Sequence, residues 1–157
     1  QILEEDASPY WKDATFENMQ AMHLAAHNGH SQVCEAIYQL AGLPDCITRL
    51  DGRGRTPLHT AAMEGHASTV KTLLDFGAQS HIDVLDKDKK SALHYAAACI
   101  LGRDTHGAST CRVLLEGGAM IHSRDANNRT ALHIAADMGN GAACTVLLQQ
   151  GADASLL

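Results

Sequence analysis

The chain has 157 residues, of which 45% are hydrophobic and 19% are charged, and its formal net charge is −6. This composition is typical of a folded protein, and the acidic balance disfavours a general nucleic-acid-binding surface. The sequence contains no apolar run of about 18 residues that could cross a membrane. Its acidic first six residues also lack the basic and apolar regions of a signal peptide.

One segment recurs four times along the chain. The copies cover residues 20–30, 56–66, 91–97 and 130–140, and each contains a histidine, at His23, His59, His94 and His133. The histidines are separated by 36, 35 and 39 residues. A repeat of this length is typical of a stacked solenoid.

The copy at residues 56–66 predicts a short helix. Thr56 can cap the helix, and Pro57 fits the first helical position because no amide donor is needed there. Leu58 and the two alanines at 61 and 62 form a narrow apolar stripe, which allows a neighbouring helix to pack closely. We expect this helix to end at Gly65.

A second helix is predicted after each copy. In the clearest repeat its inner face carries Val70, Leu73 and Leu74, and Gly77 can end it in a left-handed conformation. Cysteine replaces Val70 in the other repeats, as Cys34, Cys111 and Cys144. A position that exchanges cysteine with valine holds a small buried hydrophobic side chain. We therefore expect free thiols, which indicate an intracellular and cytoplasmic protein.

The recurring motif threonine-proline-leucine-histidine-x-alanine resembles the ankyrin repeat, whose base period is about 33 residues. The resemblance covers roughly residues 15–157. It implies an all-α solenoid of about four helix-turn-helix repeats, with β-hairpin or loop fingers between them. The repeats would span about 15–50, 51–85, 86–124 and 125–157.

The two ends of the chain carry separate predictions. Residues 1–14 lie outside the repeats and form either a cap over the first repeat or a linker from a preceding domain. At the other end, the predicted helix at 142–150 contains no charged residue, although a terminal repeat is expected to have a polar outer face. We therefore expect the chain to be part of a longer protein, or its end to be covered by another chain.

The third repeat carries six extra residues within 98–107. Cys99, Ile100 and Leu101 are predicted to extend the first helix, with Gly102 turning the chain back. The extension could be a contact surface for a partner, or it could pack against its own repeat.

The sequence offers no clear site for catalysis or metal binding. His23, His27 and His30 have the spacing of helical metal ligands, but the repeat already accounts for two of them. A glycine-rich phosphate loop, a nucleophile elbow and paired carboxylates are all missing from the sequence. We predict that the chain is not an enzyme and needs no metal or cofactor.

The predicted fingers are basic. Residues 49–55, 83–90 and 124–129 contain 8 of the 12 basic residues and five acidic ones, so the fingers carry +3 and the rest of the chain −9. Stacking would align the fingers along one edge as a basic rim, which could steer an acidic peptide to the concave face. Solvated turns that merely tolerate charge are the alternative.

The resemblance implies a protein-protein interaction module that binds a partner protein or peptide on its concave face and finger tips. An autoregulatory or targeting segment of a larger enzyme or channel, and a self-associating spacer, stay open as alternatives. Matching the family's contact positions onto this sequence predicts the following partner-binding residues: Phe16, Glu17, Met19, His27, Asn28, Arg53, Arg55, Met63, Glu64, Lys87, Asp88, Lys90, Cys99, Asn127, Arg129, Asp137 and Met138.

Overall fold

The computed structural model describes residues 20–41, 44–100 and 105–156. These residues form eight α-helices and no strand, so the fingers are turns and the predicted all-α fold is confirmed. The predicted cap at residues 1–14 lies outside the described residues. The helices are α1 (Ala21–His27), α2 (Ser31–Ala41), α3 (Pro57–Met63), α4 (Ala67–Asp75), α5 (Ala92–Ala98), α6 (Thr105–Glu116), α7 (Ala131–Asp137) and α8 (Gly141–Gln149).

The helices are arranged as four stacked pairs in two layers. The inner layer consists of α1, α3, α5 and α7, each in contact with the next, and the outer layer of α2, α4, α6 and α8 is stacked in the same way. Fully buried alanines such as Ala62 and Ala97 let neighbouring inner helices approach closely. A single hydrophobic core runs from Met22 to Leu147, so each pair depends on its neighbours for burial.

The cysteines occupy the positions predicted for them. Cys34 and Cys111 are as fully buried as Val70, Cys144 is half-buried, and none of the five cysteines forms a disulfide. Burial raises the pKa of Cys34 to about 11 and that of Cys111 to about 12. Both thiols are therefore protonated at neutral pH and act as packing groups.

The motif histidine fixes the start of each inner helix. In α3 the His59 Nδ1 accepts a hydrogen bond from the Thr56 backbone N–H at 3.1 Å, and Pro57 occupies the first helical position. The His59 Nε2 lies 3.1 Å from the carbonyl oxygen of Lys90. Because a carbonyl oxygen only accepts, Nε2 must carry the ring proton, and the imidazole is neutral.

The same histidines also connect successive repeats. His23 Nε2 lies 3.0 Å from the Arg55 carbonyl oxygen, and His94 Nε2 lies 3.1 Å from that of Arg129. Burial lowers the pKa of His23, His59 and His94, and it outweighs the hydrogen bonds that the rings donate to these carbonyls, which raise the pKa. These three recurring histidines are therefore structural groups.

The prediction that Cys99 and Ile100 extend the first helix of the third repeat is wrong. Helix α5 ends at Ala98 and has seven residues, like α3 and α7, whereas α6 has twelve residues against nine in α4 and α8. Three of the six extra residues therefore lengthen the start of the second helix, while Cys99 adopts an extended conformation with φ −73° and ψ 108°. Residues 101–104 lie outside the described part of the chain.

The Asn140 side chain binds the carbonyl groups at the end of α5. Its side-chain Nδ2 donates to the carbonyl oxygens of Ala97, at 3.2 Å, and Cys99, at 3.0 Å. Its Oδ1 accepts the Ala143 N–H at 3.0 Å and so caps α8. One buried side chain thus satisfies the end of one helix and the start of another.

Candidate partner-binding surface

A buried aspartate closes each finger. Asp51 Oδ1 accepts the backbone N–H groups of Arg53 and Arg55, both at 2.9 Å. Asp86 and Asp125 make the same two bonds to the residues two and four positions later, again at 2.9 Å. All three are less than 8% exposed. The sequence predicted these aspartates as charges on the rim, but they are structural groups inside the turn.

In two fingers an arginine pairs with the remaining oxygen of this aspartate. Arg55 Nη2 lies 2.7 Å from Asp51 Oδ2, and Arg129 Nη2 lies 3.1 Å from Asp125 Oδ2. Burial raises the pKa of Asp51 and Asp125, but the backbone and arginine hydrogen bonds outweigh it, so both values lie below the usual range. Arg55 is only 8% exposed, because its guanidinium is engaged with the buried carboxylate. It is therefore not available as a surface contact.

The fingers are bonded to one another along the solenoid. The Lys87 N–H donates to the Arg53 carbonyl oxygen at 3.0 Å, and the Ala126 N–H donates to that of Asp88 at 2.9 Å. Lys87 Nζ also donates to the Gly52 carbonyl oxygen at 2.7 Å. The finger tips thus form a continuous edge with a fixed backbone.

Each finger contains one residue with a left-handed backbone conformation. Gly54 has φ +77°, and the equivalent residues Lys89 and Asn128 have φ +56° and +62°. Left-handed backbone costs an ordinary L-residue roughly 1–2 kcal/mol, and glycine avoids that cost.

We therefore expect Lys89→Gly to raise the free energy of unfolding by roughly 0.5–1 kcal/mol, measured by urea denaturation. Gly54→Ala is the matched reverse change. Its added Cβ would lie 3.5 Å from the nearest atom, Lys87 N, so the cost there should be conformational and of similar size. A destabilised Lys89→Gly variant would contradict this explanation.

The inner face consists of the finger tips together with the outward side of the inner helices. Half-buried Met63 lies there, 3.9 Å from Arg55 Nη1. On the third repeat, the Lys90 ammonium lies 5.6 Å from the ring centroid of half-buried Tyr95. On the fourth repeat, Met138 is 42% exposed. The face therefore combines apolar and polar side chains on fixed elements.

Contacts between polar side chains bridge neighbouring parts of this face. His27 Nδ1 lies 3.5 Å from the Glu64 carboxylate, which joins α1 to the residue following α3. Arg129 Nη1 lies 3.7 Å from Asp137, which joins the last finger to α7.

Most of the predicted partner-binding residues within the described ranges are accessible on this face. Cys99 is an exception like Arg55: it is 4% exposed, because the chain turns inward after α5 and its sulfur packs against Gly65. The exposed residues are Asn28, Arg53, Lys87, Asp88, Asn127, Asp137 and Met138, the half-buried residues are His27, Met63, Glu64, Lys90 and Arg129, and Phe16, Glu17 and Met19 lie outside the described residues.

The family described as "Ankyrin repeats (3 copies)" matches this chain in three overlapping segments, residues 1–84, 22–105 and 79–156. The chain belongs to the ankyrin-repeat family. The resemblance predicted from the recurring motif is thereby confirmed, and ankyrin repeats are protein-interaction modules.

Relatives with ankyrin repeats include channels and regulatory proteins. The chain is 34% identical over 154 residues to human Transient receptor potential cation channel subfamily A member 1, covering 96% of this chain and 13% of that protein. It is 30% identical over 132 residues to the mouse Nuclear factor NF-kappa-B p105 subunit, covering 84% of this chain and 13% of the relative. The chain thus spans only a small part of these relatives.

Within the described residues, no group of three or more histidine, cysteine or acidic side chains is arranged to hold a metal ion. Those residues also include no helix that is both long and apolar enough to cross a membrane.

The sequence did not identify the importance of Tyr95, Asn140 or the finger aspartates. The aspartates did carry a signal, since Asp51, Asp86 and Asp125 each precede a capping threonine or serine by five residues. Tyr95 and Asn140 differ from the residues at equivalent places in the other ankyrin repeats, so the repeat pattern could not assign them a role.

Proposed function

We propose that this ankyrin-repeat chain binds an acidic segment of a partner protein on its inner face. The central observation is the continuous finger edge, whose backbone bonds fix several cationic side chains in place. Because this surface exists before binding, little conformational entropy is lost when a partner docks.

The charge of the finger edge supports an acidic partner. Three of the five finger carboxylates, on Asp51, Asp86 and Asp125, are buried in hydrogen bonds. These three carboxylates are engaged inside the turns and are not displayed at the surface. Arg53, Lys87 and Lys89 are exposed at the tips, where the exposed acid is Asp88. A partner approaching the tips therefore meets a positive potential, which favours association with carboxylates.

The test uses peptides selected from a random 12-residue phage library on the 157-residue chain. We expect the selected peptides to be enriched in aspartate and glutamate, and their affinity to fall as the salt concentration rises. The double variant Arg53→Ala and Lys87→Ala should weaken binding by roughly tenfold. Selected peptides that are insensitive both to salt and to this double variant would overturn the acidic-partner proposal.

A second possibility is that the partner lies within the same polypeptide. Its support is that relatives such as the human channel and NAD-dependent deacetylase sir2B of Dictyostelium discoideum are much longer, with this chain covering 13% and 19% of them. In that case the array would target or regulate a larger protein. Binding of flanking segments of the full-length protein, supplied in trans, would support this assignment. The alternative of a self-associating spacer predicts a molecular mass that rises with concentration across a dilution series.

The five cysteines support an intracellular location, because none of them forms a disulfide and reducing compartments keep cysteines reduced. We propose the cytoplasm as the compartment in which the inner face meets its partner. Fractionation of cells expressing the full-length protein would test this assignment.

A further inference from the structure

Each finger takes the number of the repeat that it begins, so residues 49–55, 83–90 and 124–129 form the second, third and fourth fingers. The third finger uses its cation differently from the other two. The residue four positions after the finger aspartate is Arg55, Lys90 or Arg129. In the second and fourth repeats this residue is an arginine, and its guanidinium pairs with Oδ2 of the same aspartate. Each of these two arginines therefore forms an ion pair with the aspartate of its own finger.

In the third finger a tyrosine replaces the arginine at that oxygen. Asp86 Oδ2 accepts the Tyr95 hydroxyl at 2.5 Å, and Oδ1 accepts two backbone N–H groups at 2.9 Å. The carboxylate is satisfied without the Lys90 side chain. Within the described ranges, no carboxylate oxygen lies within 4.0 Å of the Lys90 ammonium, which instead lies 5.6 Å from the Tyr95 ring centroid.

We propose that Lys90 and the Tyr95 ring form a carboxylate-binding position at the centre of the inner face. An aspartate or glutamate side chain of the partner pairs with the Lys90 ammonium, and the apolar part of the partner packs on the tyrosine ring. This inference rests on the proposed function and identifies the position on which an acidic side chain is recognised.

The surroundings of this position are fixed. Tyr95 is held at its hydroxyl by Asp86, and its ring packs edge-on against His59 with the centroids 6.0 Å apart. Burial and the hydrogen bond to Asp86 raise the Tyr95 pKa, so the hydroxyl stays protonated and keeps its role as donor. Lys90 is half-buried, and an ion pair formed there is less screened than one at a fully exposed site.

Two variants separate this arrangement from a general basic surface. Lys90→Met removes the charge and keeps the alkyl stem, whereas Tyr95→Phe removes only the hydroxyl. The second change leaves Asp86 Oδ2 open to Lys90, in the way that Arg55 and Arg129 pair with their own aspartates. We therefore expect it to mask the ammonium although the lost hydroxyl does not contact the partner. Lys71→Met is the control, because it makes the same charge change at an exposed site on outer helix α4.

The measurement is fluorescence anisotropy with the acidic peptides selected as above, after urea denaturation has shown that each variant is folded. We expect Lys90→Met and Tyr95→Phe each to weaken binding by roughly fivefold to tenfold, while Lys71→Met binds like the unmodified chain. If the Arg53 and Lys87 double variant weakens binding but neither Lys90→Met nor Tyr95→Phe does, this inference is overturned and the proposed function stands. If none of these inner-face variants alters binding, the proposed function fails as well.

Discussion

Lowering the pH from 7.5 to 5.5 is expected to reduce the free energy of unfolding by up to about 4 kcal/mol. Burial lowers the pKa of His23, His59 and His94 below the ordinary value of 6.5. In the unfolded chain each of these rings takes up a proton as the pH falls below 6.5, whereas the folded chain keeps them neutral. Since the unfolded state binds more protons, stability falls with pH, by at most about 1.4 kcal/mol per histidine over this interval.

The geometry explains why the folded chain resists protonation. His59 Nδ1 already accepts the Thr56 N–H, so a proton on Nδ1 would face another donor. The lowered pKa values of Asp51 and Asp125 act in a different window. Their contribution is complete above the ordinary carboxyl value of 3.8 and is lost only as the pH falls through the lower folded values. The interval from 7.5 to 5.5 therefore reports on the histidines.

Urea denaturation at pH 7.5, 6.5 and 5.5 measures this effect. His94→Gln should be less stable at pH 7.5. Its loss of unfolding free energy between pH 7.5 and 5.5 should be about one third smaller than that of the unmodified chain. His81→Gln is the control, because His81 is exposed and lies outside the inter-repeat bonds. Stability that is independent of pH across this interval would show that the three rings are not held neutral.

Gly107→Ala is expected to destabilise the chain by about 3 kcal/mol, although alanine is the better helix former. Gly107 lies in the first turn of α6, and an added Cβ would lie 2.5 Å from the Cys99 carbonyl oxygen and 2.7 Å from that of Ala96. Both obstacles are backbone atoms, so α6 would have to move away from α5. Such a shift would also disturb the hydrogen bonds that Asn140 makes to the end of α5.

Gly141→Ala is the matched control for this prediction. Gly141 begins α8, and no atom lies within 4 Å of the place that its Cβ would take. There the change should be neutral or stabilise by up to about 1 kcal/mol. Gly107→Ala should thus lower the urea midpoint strongly, whereas Gly141→Ala should leave it unchanged or raise it. Equal effects would contradict the close approach of α6 to α5.

Most of the fold could be predicted because the repeating residues have local roles. Thr56, Pro57 and His59 define the start of a helix within one turn, and the same pattern identifies the other inner helices. The buried exchange of Val70 with cysteine likewise identified the core position of the outer helices. These features need only the spacing along the sequence.

The remaining features depend on contacts between repeats. Asn140 bonds to carbonyl oxygens 41 and 43 residues away, so no local pattern could show that it satisfies the carbonyl groups at the end of α5. Counting finger charges could not separate buried Asp86 from exposed Asp88, because both lie in the same short turn. For the same reason Arg55 was predicted to face a partner, although it pairs with Asp51 inside its finger.

The central claim is that a partner docks on the inner face. Amide chemical-shift mapping of the isotopically labelled 157-residue chain, titrated with a selected acidic peptide, locates the bound peptide directly. We predict shifts concentrated in the second, third and fourth fingers and along α3, α5 and α7, with the largest near Lys90 and Tyr95. Shifts confined to the outer helices α4, α6 and α8 would place the partner on the opposite side and contradict the claim.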